Sequence, residues 1–351
     1  MTNIVLLRPD TSDASTRTAR LIRAFASERR ARGDVFWLKE NAELLGVLAS
    51  TGCVLNPDAL EPLAEFHADC REMLRDFPQY YRFFLSICLD LEDLGLPMTQ
   101  GIALCEDVAR AGLKDAELSD LQRAEARRLL RRRGIGQEVG DGALGARLRD
   151  FIARSATFAL PNRKAAYELT HIVYYLSDYG RCDPKLSSEA QLSLQFTGLL
   201  AFLDQDMDLL AEVCAALRFA GAHPNPLWEK SVTACNRAHQ IQADLNAPLQ
   251  DDAHEWLVTG WAAHIAGGPL HPQHIPEGGL RFYSLPKVQG ALRPLAECLS
   301  DMGAHRSADW GHMRPHILSY LGPDSHAILL EAERSSPHFE QFFEGFARAR
   351  G

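Results

Sequence analysis

The chain has no run of about 18 consecutive apolar residues, the length a membrane-spanning helix needs. Its opening residues, Met-Thr-Asn-Ile-Val-Leu-Leu-Arg-Pro, hold too short an apolar stretch for a signal peptide, so a cytoplasmic protein is expected. Cys-x-x-Cys pairs are also missing. Cys53, Cys70, Cys88, Cys105, Cys182, Cys214, Cys235 and Cys298 are scattered, which disfavours a zinc ribbon or a thioredoxin-type motif and reads as reduced, small hydrophobes. Positive charge is in deficit: 37 Lys and Arg against 46 Asp and Glu give a formal net charge of -9, which argues against nucleic acid or an anionic membrane as a partner. The one basic run, Arg127, Arg128, Arg131, Arg132 and Arg133, reads as the solvated face of a short helix. Strand alternation is confined to residues 279 to 285, so the expected fold class is all-α.

What is present is a succession of amphipathic segments. Pairs of helices recur at spacings of about 30 to 45 residues, as repeated helical hairpins require when each pair leaves an apolar face for a neighbour to cover. Helices are expected, among others, over 164–179, 187–203, 206–220, 226–245 and 251–266, with Phe339, Phe342, Phe343 and Phe346 forming a docking stripe on a tail helix. The Gly-rich stretch 134–145 divides an N-terminal helical region, 1–133, from a C-terminal array, 146–351. A phosphate loop is rejected there, because no strand precedes the glycines and no Gly-Lys-Ser/Thr follows. Residues 267–284, rich in Pro, Gly and His, form a long loop expected to border any cavity the array encloses.

The stretch from Asn162 to Cys182 concentrates reactive groups. Glu168 and His171 stand at i and i+3, with Tyr174 and Asp178 continuing towards the same stripe. A histidine oriented by a carboxylate is a general base, and Glu168, His171, Tyr174 and Asp178 are the candidate catalytic residues. Glu-x-x-His is also the way helical bundles present metal ligands, and a divalent metal such as zinc is the candidate cofactor, held by His171, Asp206 and His254. The plainer reading of Asp206, within Asp204-Gln-Asp-Met-Asp208, is an N-cap for the helix that follows.

Three segments, Tyr80 to Leu94, Tyr167 to Gly180 and His254 to Gly267, echo one another as more apolar helices. Together with Asp206-Met-Asp-Leu-Leu-Ala-Glu-Val-Cys-Ala-Ala-Leu-Arg and His254-Glu-Trp-Leu-Val-Thr-Gly-Trp, residues 146 to 270 resemble bacterial all-helical proteins with α/α-toroid-like hairpins. The superfamily includes terpene cyclases, protein prenyltransferase β subunits and lanthipeptide cyclases. The chain lacks the Asp-rich motif of the first, Asp251-Asp-Ala-His-Glu255 coming nearest, and the Asp-x-Cys of the second. The resemblance therefore implies an α/α-toroid-like or solenoid-like array and no activity. Because no complete catalytic motif is present, the expected function is a helical-repeat scaffold that binds a peptide or partner protein in an apolar groove; the alternative is a metal-assisted or acid/base enzyme acting on a small molecule or modified peptide in a central cavity.

Overall fold

Short polar side chains set where the helices start. Asp34, Asn56, Ser119, Asn162, Ser187, Asp206, Asn225 and Asp309 each accept a hydrogen bond from a backbone N–H two or three residues on, filling a donor that the first turn leaves open. The computed structural model describes residues 13–53, 55–136, 142–244, 250–286 and 288–347, and these are predominantly helical. Of the Gly-rich stretch 134–145, residues 137–141 lie outside the described residues.

Six helices pack in cyclic order. Val35–Ser50 lies against Tyr81–Leu94, which lies against Asp120–Arg131; the sequence continues through Arg163–Leu176, Met207–Phe219 and Ala253–Ile265, and the last packs back on the first. Other helices lie across neighbours in the cycle: Gly101–Arg110 touches Tyr81–Leu94 and Asp120–Arg131, Ser188–Asp204 touches Arg163–Leu176 and Met207–Phe219, and Pro226–Ala238 touches Met207–Phe219 and Ala253–Ile265. The difference in position matches the sequence. Met207–Phe219 buries ten consecutive residues from Asp208 to Leu217, whereas Pro226–Ala238 buries only Trp228, Val232 and Asn236.

Two apolar clusters form the core. One gathers the helices from Gly142–Ile152 to the tail, including Phe339, Phe342, Phe343 and Phe346, all buried. The other gathers the N-terminal helices together with Trp256, Leu257, Ile275, Leu280 and Phe282. Ala253–Ile265 belongs to both, because Val258, Trp261 and Ala262 join the first cluster while Trp256 and Leu257 join the second. A buried guanidinium reinforces this join: Arg29 donates to both carboxylate oxygens of Asp251 at 2.8 and 3.0 Å, to Glu40 at 3.1 Å and to the Leu280 carbonyl.

Three expectations change. The helix expected over 226–245 ends at Ala238, and Gln240–Ala243 is instead a strand, paired antiparallel with Leu280–Tyr283 so that Ile241 faces Phe282 in register. The second strand was readable as alternation, while the first forms because its partner is there. The basic run is a solvated face only in part: Arg131 is exposed, but its neighbours turn inward. Arg132 reaches Asp90 and Asp93 at 2.8 and 2.7 Å, Arg133 reaches Glu92 at 2.9 Å, and Arg128 is 7% exposed, since Tyr81–Leu94 presents Asp90, Glu92 and Asp93 to these cations. Finally, the Arg163–Leu176 helix stops short of Asp178: Asp178, Tyr179 and Gly180 all have positive φ (46°, 55° and 84°), a left-handed turn that ends the stripe.

Candidate functional site

The six helices of the cycle line a cavity of about 300 Å³. Its walls carry Phe83, Tyr174, Tyr175, Tyr179 and Trp261 as aromatic surface and His171, Glu212, His254, Glu43, Arg128 and Asp90 as polar groups. Tyr174, Tyr179 and Trp261 pack ring against ring with centroids 5.2 to 6.0 Å apart, and the Trp261 indole N–H donates to Ser50 Oγ at 2.9 Å, which ties the C-terminal side of the cavity to Val35–Ser50.

His171 is placed by its own helix. Its Nδ1 donates to the Tyr167 carbonyl one turn back, at 2.8 Å, and a carbonyl can only accept, so Nδ1 carries the hydrogen. Nε2 is then the ring's lone-pair nitrogen whenever the ring is neutral. Glu212 stands 3.5 Å from Nδ1 and also accepts from the Thr170 hydroxyl. This carboxyl sits within the apolar run Leu210-Ala-Glu-Val-Cys214, and burial, helped by the like charge of Asp208, raises its pKa against the opposing pull of His171 and Thr170.

A second imidazole is arranged differently. His254 Nδ1 lies 2.7 Å from Asp208 Oδ1, the other Asp208 oxygen accepts from the Tyr167 hydroxyl, and His254 Nε2 faces Glu43 at 3.8 Å. Burial pushes the His254 pKa down, but the hydrogen bond it donates to Asp208 and the charges of Glu43, Asp208 and Glu212 prevail and raise it to about 9. His254 is therefore an imidazolium at neutral pH. Asp208 is held below the usual carboxylate range: burial works upward, and the hydrogen bonds from His254 and Tyr167 outweigh it. Glu43, on the far side of the ring, is raised, chiefly by burial.

Of the residues singled out in the sequence, His171, Tyr174 and His254 line the cavity, with the Tyr174 hydroxyl donating to the Glu212 carbonyl at 2.8 Å. Glu168 does not; its partner is Lys164 on the same helix, at 3.9 Å. Asp178 lies outside the cavity lining and binds Arg128 and Arg181 at 3.1 and 3.6 Å. Asp206 caps its helix by accepting from Leu209 N at 3.2 Å, the plainer of its two readings. The trio His171, Asp206 and His254 is accordingly not brought to common ligand distance, because Asp206 is turned to its own backbone and His254 is committed to Asp208. The loop of residues 267–284 also misses the cavity lining. It lies on the other side of Ala253–Ile265, where His271 stacks on Trp256 at 4.2 Å and Gln273 donates to the Asn236 carbonyl at 2.6 Å.

Sequence reasoning passed over Glu212, Tyr167 and Glu43, and it noticed Asp208 only as one of the three carboxylates of Asp204-Gln-Asp-Met-Asp208. One signal was available for Glu212, the one carboxylate within the apolar run from Leu209 to Leu217, which folding tolerates only when the group is hydrogen-bonded or neutral.

A predominantly helical protein with an imidazole and carboxylate cavity is the class these observations define. The chain belongs to the family described as Domain of unknown function (DUF6902), whose model matches residues 1–349. No curated protein and no solved structure matches it.

Proposed function

We propose that the protein is an acid/base enzyme acting on a small molecule held in the cavity, and that the cycle of helices around it is an α/α-toroid-like ring. The observation that carries this reading is the pairing of two differently arranged imidazoles in one cavity: His171, with Nε2 free of protein partners among the described residues, and His254, held as a cation by Asp208 and Glu43. His254 holds a proton that it can give, and His171 presents a ring nitrogen that can accept one. His171 takes the substrate proton on Nε2, and Glu212 stabilises the imidazolium that results, as a carboxylate behind a catalytic histidine does. His254 offers its Nε2 proton to developing negative charge, and the aromatic wall holds the apolar part of the substrate.

The cavity volume lies at the lower end of the range for small-molecule sites, roughly 300 to 1,000 Å³. A peptide-binding scaffold would call for an apolar groove, and the polar groups concentrated here favour the enzyme over it. The ring reading rests on the cyclic packing order and on the second tier of helices lying across neighbouring members. To test the function, a small-molecule extract is incubated with the wild-type protein, with His171→Ala and with His254→Gln, and followed by mass spectrometry. A compound consumed by the wild type and spared by both variants is the expected result. Consumption that persists in both variants, or no consumption together with no ligand-induced rise in melting temperature, overturns the reading.

A further inference from the structure

A second cluster of reactive groups lies on a different face of Ala253–Ile265 from the one that carries His254 into the cavity. Cys235 and His239 stand four residues apart at the end of Pro226–Ala238, and Glu255 reaches them from the neighbouring helix. The ligand atoms of the three all lie within 4.8 Å of one another, with Glu255 Oε1 at 3.8 Å from Cys235 Sγ and 3.5 Å from His239 Nε2.

The orientation of His239 is the second observation. Its Nδ1 donates to the Cys235 carbonyl at 2.9 Å, which fixes the tautomer and leaves Nε2 as the lone-pair nitrogen. That Nε2 belongs to a ring with a fully buried side chain, makes no hydrogen bond, and points at the other two groups. A histidine that ligates a metal through one nitrogen typically ties the other N–H to a carbonyl or carboxylate in this way. Tetrahedral coordination at zinc bond lengths of about 2.0 to 2.3 Å sets ligand atoms roughly 3.3 to 3.8 Å apart, and both separations from Glu255 fall in that range.

We propose that Cys235, His239 and Glu255 form a binding site for a zinc-type divalent transition ion. The nitrogen, sulfur and oxygen donor set favours such an ion over calcium or magnesium, which take oxygen ligands. Binding replaces the thiol proton that Cys235 donates to Glu255, and that proton leaves to solvent. Water completes the fourth position. The ion fastens the end of Pro226–Ala238 to the start of Ala253–Ile265, on either side of the strand Gln240–Ala243. The other such group among the described residues, His67, Cys88 and Glu92, does not carry the same argument. Glu92 Oε1 already accepts from the Gln100 and Gly101 N–H groups at 3.0 and 2.8 Å while Oε2 binds Arg133, a helix cap and ion pair that leave the carboxylate committed.

The full-length protein is stripped with a chelator and titrated with cobalt(II), then zinc. One equivalent of cobalt with tetrahedral visible absorption and a single thiolate charge-transfer band is expected. Cys235→Ser should remove that band and weaken zinc binding by at least about tenfold, while Cys88→Ser leaves both unchanged. Zinc absorption fine structure of the wild-type protein, which needs no variant, should show one sulfur among nitrogen and oxygen ligands. Absence of a cobalt band, a zinc shell without sulfur, or a band abolished by Cys88→Ser and kept by Cys235→Ser overturns the site and leaves a plain hydrogen-bonded triad. The acid/base reading of the cavity stands or falls separately, since its readout is consumption of a compound.

Discussion

The two walls of the cavity use charge in opposite ways. On the wall made by Tyr81–Leu94 and Asp120–Arg131, each carboxylate is matched to a guanidinium: Asp90 to Arg132, and Glu125 to Arg82. Guanidinium stays protonated throughout the range in which proteins fold, so these pairs are fixed charges. On the wall made by Arg163–Leu176, Met207–Phe219 and Ala253–Ile265, the carboxylates Glu212 and Asp208 are matched to imidazoles instead. An imidazole, unlike a guanidinium, can give up its proton within the range in which proteins fold, and His254 does so as pH rises through about 9. One wall is pinned by fixed charges, and the other carries its charge on groups that titrate.

Breaking the fixed wall should have the largest effect on stability. Arg132→Met strips Asp90 and Asp93 of this cation and leaves Asp90, 4% exposed, with the Ser86 hydroxyl. Leaving a buried charge without its partner costs ~3 to 5 kcal/mol, read as a lower denaturant midpoint. A loss below ~1 kcal/mol would mean that this wall is not built on ion pairs.

The reactive wall should announce itself through pH. Because the folded pKa of His254 is raised from 6.5 to about 9, its contribution to stability is complete below pH 6.5 and disappears as pH rises through about 9. Wild type should therefore exceed His254→Gln by on the order of 1 kcal/mol at the acidic end, the figure being discounted for the ring's partial exposure, and the gap should close across that window. Unfolding curves at several pH values measure it, and ring NMR showing His254 titrating near 6.5 would contradict it.

His171→Ala removes one hydrogen bond to the Tyr167 carbonyl, worth ~1 kcal/mol. The variant should keep its helical circular dichroism and melt within about 4 °C of wild type while losing activity. A sharp fall in melting temperature with activity retained would assign His171 to the fixed wall. The smallest effect belongs to Glu168→Gln. It disturbs only a surface pair with Lys164, so stability should move by less than ~0.5 kcal/mol and turnover not at all. A drop in turnover would bring Glu168 back into the site.

The helical character of the chain was legible because caps and periodicity are local, and so was the inward turn of His171, which lines the cavity. Its proper partner was not. Glu168 shares a helix with His171, and spacing alone cannot tell which of two carboxylates meets the ring; Glu212, 41 positions away, wins because the neighbouring helix is packed against that face. The arginines were misread for a related reason, as Arg132 looks solvated until Asp90 and Asp93 are placed opposite it. His254 was found, but its charge was not, since it follows from Asp208 and Glu43 arriving from two other helices.

Membership of Ala253–Ile265 in both apolar clusters has a temporal consequence. The helices that first leave the ribosome cannot complete their core until Trp256, Leu280 and Phe282 have been made. Roughly 200 residues separate Val35–Ser50 from that segment, and at ~5 to 20 residues per second the wait lasts about ten to forty seconds. Throughout it, the surface that Trp256 and Phe282 will cover stays open, a long-range closure of the slow kind. Synthesis speed and chaperone supply should therefore govern the yield of this protein more strongly than the stability of its finished fold.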